Sequence, residues 1–350
     1  MPRISPWLFR KANRHSPNVA ALLPACRDLP SAINELRWLK EHVNGTAHLA
    51  KESLLARLCR KRGQGYPLQY ILGSQPFGPL DIKCRSGVLI PRPETEAYTY
   101  HLADLIKSGS LKIGGSKHDL NVVDFCTGTG CIPLLLYALV YRKFDHLNVL
   151  GVDISTQAIK LARGNIDHNT RLGHLPDLQL NHGLNIIQED IFHDEVIEKL
   201  KGRNWDVMVS NPPYISRRAW NHGGGQVGYS VRKYEPSLAL VPRDDVPIPV
   251  NWNHEDIFYA RLLEIARHLK PRAILLEIGD KEQARRVISQ FLQNNPLANS
   301  EVQVWRDWPD LASAGDKDCM LEISMRDGSS RAIPIQGDGN IRSIFIKLGA

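Results

Sequence analysis

The sequence predicts an α/β fold: an open, mostly parallel sheet preceded by a small helical module. Three observations carry this. From residue 120 onward, short apolar runs alternate with stretches of helical periodicity. The first such run leads through a glycine turn, Cys126-Thr127-Gly128-Thr129-Gly130, directly into a helical pattern. That arrangement lets backbone approach a ligand at a helix N-terminus. Finally, four successive runs end in polar or glycine-rich groups, and the carboxyl ends of strands are where an open parallel sheet binds ligands.

A chain of 350 residues has room for a large core and more than one domain. It holds no apolar run long enough to cross a bilayer, so no membrane partner is expected. Lys and Arg number 44 against 37 Asp and Glu, and the excess is uneven. Residues 1–62 carry twelve basic and four acidic side chains, a charge of +8, while the remainder is close to neutral. Such a segment is either a solvated basic face or a surface for nucleic acid or a ribonucleoprotein-associated partner. Cysteines 26, 59, 84, 126, 131 and 319 form no C-x-x-C pair, which points to free thiols and to neither a disulfide framework nor a metal site.

In order, residues 1–27 contain Arg3, Arg10, Lys11, Arg14 and Arg27 and no acid, a composition compatible with a mitochondrial transit peptide. Pro2, Pro6, Pro17 and Pro24 argue against one long helix there. Residues 28–73 form the helical module: Leu36, Leu39, Val43, Leu49, Leu54, Leu55 and Leu58 recur at spacings near three and four, with Gly45 dividing two helices. Residues 74–95 read as a linker hairpin, in which 80–83 alternates like a strand and Gly87 turns the chain into Val88-Leu89-Ile90. Pro91-Arg92-Pro93-Glu94-Thr95-Glu96 then opens a helix to about residue 107. Its acids either compensate the helix dipole or form a stiff wall beside a site.

The domain expected over 96–330 begins its strands at 120–125. The next run, 148–152, ends in Asp153, which lies 23 residues beyond Gly130 and is placed to accept from both hydroxyls of a ribose. The third, 184–188, ends in Glu189-Asp190-Ile191-Phe192, where Asp190 can accept from an adenine amine and Ile191 or Phe192 can pack on the ring. The fourth, 205–210, ends in Asn211-Pro212-Pro213-Tyr214. An amide with one acceptor and two donors, two prolines whose carbonyls are free to accept, and a flat ring suit a planar group bearing NH₂. That group is a carboxamide or the exocyclic amine of a base. Further strands are expected at 273–278, 302–305 and 319–324, the last two as a hairpin ending the sheet. The tail, 331–350, has an apolar stretch at 341–347 but no role that the pattern assigns.

Several of these motifs together resemble one family. Leu89-Ile90-Pro91-Arg92-Pro93-Glu94-Thr95-Glu96, residues 124–132, Gly151-Val152-Asp153-Ile154-Ser155, Asn211-Pro212-Pro213-Tyr214-Ile215, Glu235-Pro236 and Leu276-Glu277-Ile278-Gly279 resemble the HemK-type release-factor glutamine methyltransferases. The resemblance spans residues 66–325 and implies a Rossmann-like, seven-stranded class I methyltransferase sheet that uses S-adenosylmethionine. It implies that Asp124, Thr127, Gly128, Gly130, Asp153, Asp190, Ile191 and Asn211 hold this cofactor. It also implies that Asn211, Pro212, Pro213 and Tyr214 hold the substrate, with Asn211, Pro212 and Tyr214 catalytic. The implied substrate is the glutamine of a release factor's Gly-Gly-Gln loop, bound by the helical module, with no nucleic acid required. Asn-Pro-Pro-Tyr is shared with adenine methyltransferases, so the alternatives are a DNA or RNA adenine-N6 methyltransferase and a non-enzymatic, ribosome-associated module. The transit-like terminus favours mitochondria over cytoplasm. The chain departs from the family at Cys126, where glycine is usual, and at 241–253, which replaces a glycine-rich segment. Gly224-Gly225-Gln226 repeats the substrate tripeptide within the chain, as a flexible loop or a self-modification site.

Overall fold

The structure, a computed structural model, describes residues 3–111, 119–176, 181–222, 227–294, 300–312, 319–325 and 328–349. The tripeptide Gly224-Gly225-Gln226 lies outside the described residues. No helix among them is long and apolar enough to cross a membrane.

Five helices come first: α1 (Pro6–His15), α2 (Pro17–Cys26), α3 (Leu29–Asn44), α4 (Lys51–Gly63) and α5 (Leu68–Leu72). Pro6 and Pro17 instead start short helices, and Pro30 stands in the first turn of α3, because the first turn of a helix has no use for the missing N–H; Pro24 lies inside α2. Ser5, Ser16 and Asp28 cap these starts, accepting from the N–H of Leu8 at 3.1 Å, Asn18 at 3.2 Å and Ser31 at 2.8 Å. Ala12, Val19, Leu22 and Leu23 pack with Leu36, Leu39, Cys59 and Leu68 in one core. The module therefore begins near Pro6 and not at residue 28, and the leader-like stretch is built into it. Glycine is required at Gly63, where a Cβ would sit 1.9 Å from the Ala21 carbonyl oxygen.

The linker hairpin pairs β1 (Ser74–Phe77) with β2 (Leu80–Lys83). Residues 88–90, expected as its second arm, form no strand. Beyond it run α6 (Pro93–Ser108), β3 (Asp119–Phe125), α7 (Cys131–Val140), β4 (His146–Asp153), α8 (Thr156–Arg171), β5 (His182–Gln188), α9 (Glu195–Leu200) and β6 (Val207–Ser210). There follow α10 (Arg217–His222), α11 (Tyr229–Tyr234), α12 (Ile257–Leu269), β7 (Ala273–Glu277), α13 (Lys281–Asn294), β8 (Glu301–Trp308), β9 (Met320–Ser324), β10 (Ser330–Gln336) and β11 (Asp338–Lys347).

All strands from β3 onward join one sheet in the order β5-β4-β3-β6-β7-β11-β8-β10-β9. The first five are parallel. Alternate side chains feed two helical layers: Val122, Val207 and Leu275 meet residues of α6 and α7, while Val123, Met208 and Ile274 meet residues of α12 and α13. The far half differs from the expected hairpin. β11 enters antiparallel between β7 and β8, with Ile344 opposite both Leu276 and Val304. β9 does not pair with β8; it pairs with β10, which runs parallel to β8. The seventh strand of the core is thus β11, from the tail that the sequence pattern leaves without a role, and 319–324 belongs to a two-stranded extension of the edge.

Removing residues 337–350 tests that placement. Ile341, Ile344, Phe345 and Ile346 are buried, and at about 1.5–3 kcal/mol each their loss approaches a whole domain's stability of roughly 5–15 kcal/mol. The truncated protein is expected to show no cooperative melt by circular dichroism; a sharp transition near the full-length value would show β11 to be dispensable.

Candidate active site

The site forms at the carboxyl ends of β3, β4, β5 and β6. After β3 the chain turns through three left-handed residues, Cys126 (φ 62°), Gly128 (φ 56°) and Gly130 (φ 79°). A side chain at Gly128 would meet nothing within 4 Å, whereas one at Gly130 would sit 3.1 Å from both Ala162 and Leu134. Gly128 is therefore turn geometry facing open space, and Gly130 permits close packing of α7 on α8. Cys126 adopts the same left-handed region with a side chain, which costs about 1–2 kcal/mol that glycine avoids.

Asp153 braces this loop. Its Oδ2 accepts from Gly128 N–H and its Oδ1 from Ser155 N–H, both at 2.8 Å. Burial raises its carboxyl above the usual range, and the N–H groups of Ser155, Gly128 and Ile154 oppose the rise. At the end of β5, Asp190 accepts from Phe192 N–H at 3.0 Å and from Arg243 Nη2 at 2.7 Å. The 241–253 segment thus contributes to the site, because Arg243 lines it.

One cavity gathers Thr127, Gly128, Asp153, Asp190, Ile191, Asn211 and Pro213. Residues 87–92, Thr95, Phe192, Pro236, Arg243 and Phe258 are also part of its wall. Four expected site residues do not line it. Gly130 and Pro212 are two of them. Asp124 is fully buried below the loop, and neither its oxygens nor the Thr127 hydroxyl has a hydrogen-bond partner among the described residues. Burial pushes the Asp124 carboxyl up to about 8; the Thr127 hydroxyl acts against this and the Asp153 charge adds to it. Tyr214 turns from the cavity: its hydroxyl donates to Glu277 Oε1 at 3.0 Å and its ring lies against Gly279.

Glu277, 2 % exposed at the end of β7, is the centre of a second network. Its Oε2 accepts from the Thr95 hydroxyl at 2.7 Å, and Thr95 Oγ1 accepts from Asn211 Nδ2 at 3.5 Å. Burial raises the Glu277 carboxyl, opposed by the Thr95 hydrogen bond, the Arg342 charge and the Tyr214 hydroxyl. Glu235 holds the adjoining wall, accepting from Ile90 N–H at 3.2 Å and from Arg92 Nη2 at 2.7 Å. Motif matching marks both acids but gives neither a role. The available signal for Glu277 is an acid inside an otherwise apolar strand, which must find donors when buried.

The cavity offers acceptors at Asp153 and Asp190, apolar plates at Ile191, Phe192 and Phe258, and a left-handed glycine loop, beneath which Asp124 lies buried. This set fits a nucleoside joined to a cationic group. The orphaned acid also makes a testable prediction. Asp124 holds its proton more tightly folded than unfolded, where aspartate titrates near about 3.9. Its contribution therefore favours folding at low pH and is lost as pH rises through about 8. Relative to wild type, Asp124→Asn should gain on the order of a few kcal/mol between pH 5 and pH 9, read as a widening gap between thermal midpoints. Parallel curves would contradict the assignment.

Known proteins are similar to this chain in sequence. A family model described as RNA methyltransferase matches residues 74–240. The mitochondrial MRF1 N(5)-glutamine methyltransferase MTQ1 of Saccharomyces cerevisiae is 37 % identical over 243 residues, which span 69 % of this chain and 68 % of that protein. The probable MRF1 mitochondrial N(5)-glutamine methyltransferase mtq1 of Schizosaccharomyces pombe is 34 % identical over 314 residues, 86 % of this chain and 92 % of that one. The release factor glutamine methyltransferase of Pasteurella multocida is 34 % identical over 247 residues, 69 % and 72 % of the two chains. With a Rossmann-like sheet, a glycine loop and acids at its strand ends, and this identity over most of its length, the chain belongs to the release factor glutamine methyltransferases, enzymes that use S-adenosylmethionine.

Proposed function

We propose that this protein methylates the side-chain amide nitrogen of the glutamine in the Gly-Gly-Gln loop of a release factor, in mitochondria. The observation that carries the reading is Asn211, at the end of β6 in the same cavity as Asp153 and Asp190. An amide nitrogen is a poor nucleophile because its lone pair is delocalised. Asn211 Oδ1 in the cavity and the carbonyl of Pro212, next to it in the chain, are the acceptors that would each take one N–H of the substrate amide and leave the lone pair facing the donor. Orientation of this kind supplies a large part of a barrier reduction. Bound S-adenosylmethionine supplies an electrophilic methyl group; Asp153 offers acceptors to its ribose, Asp190 to its adenine amine, and the 126–130 loop its backbone. No strong base is needed, since an N-methylated amide cation gives its proton to water.

The helical module is the proposed hold on the protein substrate. A groove lined by Arg27, Arg62, Tyr229, Lys233, Arg92 and Glu235 runs from the module to Arg92, which also borders the cofactor cavity. Its positive side chains suit an acidic protein surface. No contact to nucleic acid is required by this scheme.

The test offers purified release factor, duplex DNA and an RNA hairpin side by side with labelled methyl donor. Label is expected on the release factor alone, and Asn211→Ala should lower kcat at least about a hundredfold while cofactor affinity by calorimetry stays within about threefold. Label on nucleic acid in place of protein, or near-wild-type turnover of the variant, would overturn the reading. Localisation carries its own outcome. Ala12, Val19, Leu22 and Leu23 belong to the module core, so cleavage at residue 27 would open it. Protein isolated from mitochondria is expected to retain everything from Pro6 onward by terminal sequencing.

A further inference from the structure

The two ends of an asparagine amide have nearly the same shape, so packing alone cannot decide which one faces a substrate. Hydrogen bonds decide it. For Asn211 the deciding chain runs into the protein, to Thr95 Oγ1 at 3.5 Å and on to Glu277 Oε2 at 2.7 Å. Glu277 as a carboxylate can only accept. Thr95 has one hydroxyl proton, and it points at Glu277; toward Asn211 the hydroxyl oxygen can only accept. The group that Asn211 turns inward must therefore be its NH₂, which leaves Oδ1 on the cavity side. Were the chain reversed, the NH₂ of Asn211 would confront the NH₂ of the substrate, donor against donor.

We propose that Thr95 and Glu277 are positioning residues that set the polarity of the Asn211 amide. Glu277 is suited to it: its other oxygen is occupied by Tyr214 at 3.0 Å, and Arg342 of β11, which donates to Asp307 at 2.8 Å, places a positive charge nearby. The proposal rests on the reading of Asn211 as the substrate-amide acceptor.

Thr95→Ser, Thr95→Val and Glu277→Gln, each assayed in the full chain, test it. Thr95→Ser keeps the hydroxyl and should hold kcat within about threefold, whereas Thr95→Val should lower kcat about tenfold to a hundredfold. KM for the release factor and cofactor affinity should stay within about twofold in both. Once valine has broken the chain, adding Glu277→Gln should lower kcat by less than its own single effect, the coupling expected of residues acting as a unit. Wild-type kcat in Thr95→Val, or equal losses in the serine and valine variants, would overturn the proposal; the serine and valine pair decides even where Glu277→Gln does not fold. A wild type that methylates nucleic acid and not the release factor would instead overturn the substrate reading, and the same variants are then compared on that substrate.

Discussion

A carboxylate removed from water has to be surrounded by donors, and the way Glu277 is surrounded organises this molecule. Its donors come from segments distant in the chain: Thr95, 182 residues earlier, at the start of α6, and Tyr214, 63 residues earlier, after β6. A third hydroxyl, Tyr259 of α12, donates to its backbone carbonyl at 2.8 Å. One buried acid at the end of a central strand thus draws the wall segment, the Asn-Pro-Pro-Tyr turn and a covering helix to a common point. Glu235 does the same for the other end of the wall through Ile90 and Arg92. Residues 89–96 are gripped at both ends by acids, which makes them a wall; the alternative, that Glu94 and Glu96 only compensate a helix dipole, explains neither grip.

The link between module and site is also built from polar side chains. Asn165 and Asn169 of α8 are fully buried. Asn169 accepts from Asp81 N–H at 2.9 Å and donates to its carbonyl at 3.0 Å, as a neighbouring strand would. Asn165 accepts from Lys83 N–H at 2.8 Å and donates to the Thr129 carbonyl at 2.9 Å. The linker hairpin is thereby stitched to the helix that follows Asp153 and to the glycine loop itself. Side-chain amides here satisfy the edge of β2, which would otherwise remain unpaired.

Much of this architecture is legible in the amino-acid sequence. β3 to β7 are short apolar runs with clear boundaries, and Gly128, Asp153, Asp190 and Asn211 follow such runs at once, where a parallel sheet collects ligands. What the sequence hides depends on pairing over distance. Nothing near Arg243 announces Asp190, 53 residues away, and nothing in Thr95 announces Glu277. Asp124 and Tyr214 belong to recognisable motifs, yet which way each side chain turns is settled by packing: one sinks beneath the loop and the other toward Gly279. β11 escapes pattern reading because no helical pattern precedes it and its neighbours in space, β7 and β8, are not its neighbours in sequence. The first two helices are masked by composition, since a basic, acid-free stretch with prolines looks the same whether it is a leader or the start of a core.

The position of β11 bears on how the protein is made. β7 and β8 never pair with each other; each waits for a strand that is synthesised after both. Until it arrives, two apolar edges lie open in the middle of the future sheet, a state prone to join the wrong partner. The parallel half, with all four ligand-bearing strand ends and the glycine loop among them, can take shape early. Arg342, which supplies positive charge near Glu277, comes with the late strand. A nascent chain can thus form a cofactor cradle while the charge that steadies its amide clamp is still missing, so assembly of the sheet and completion of the site coincide in time.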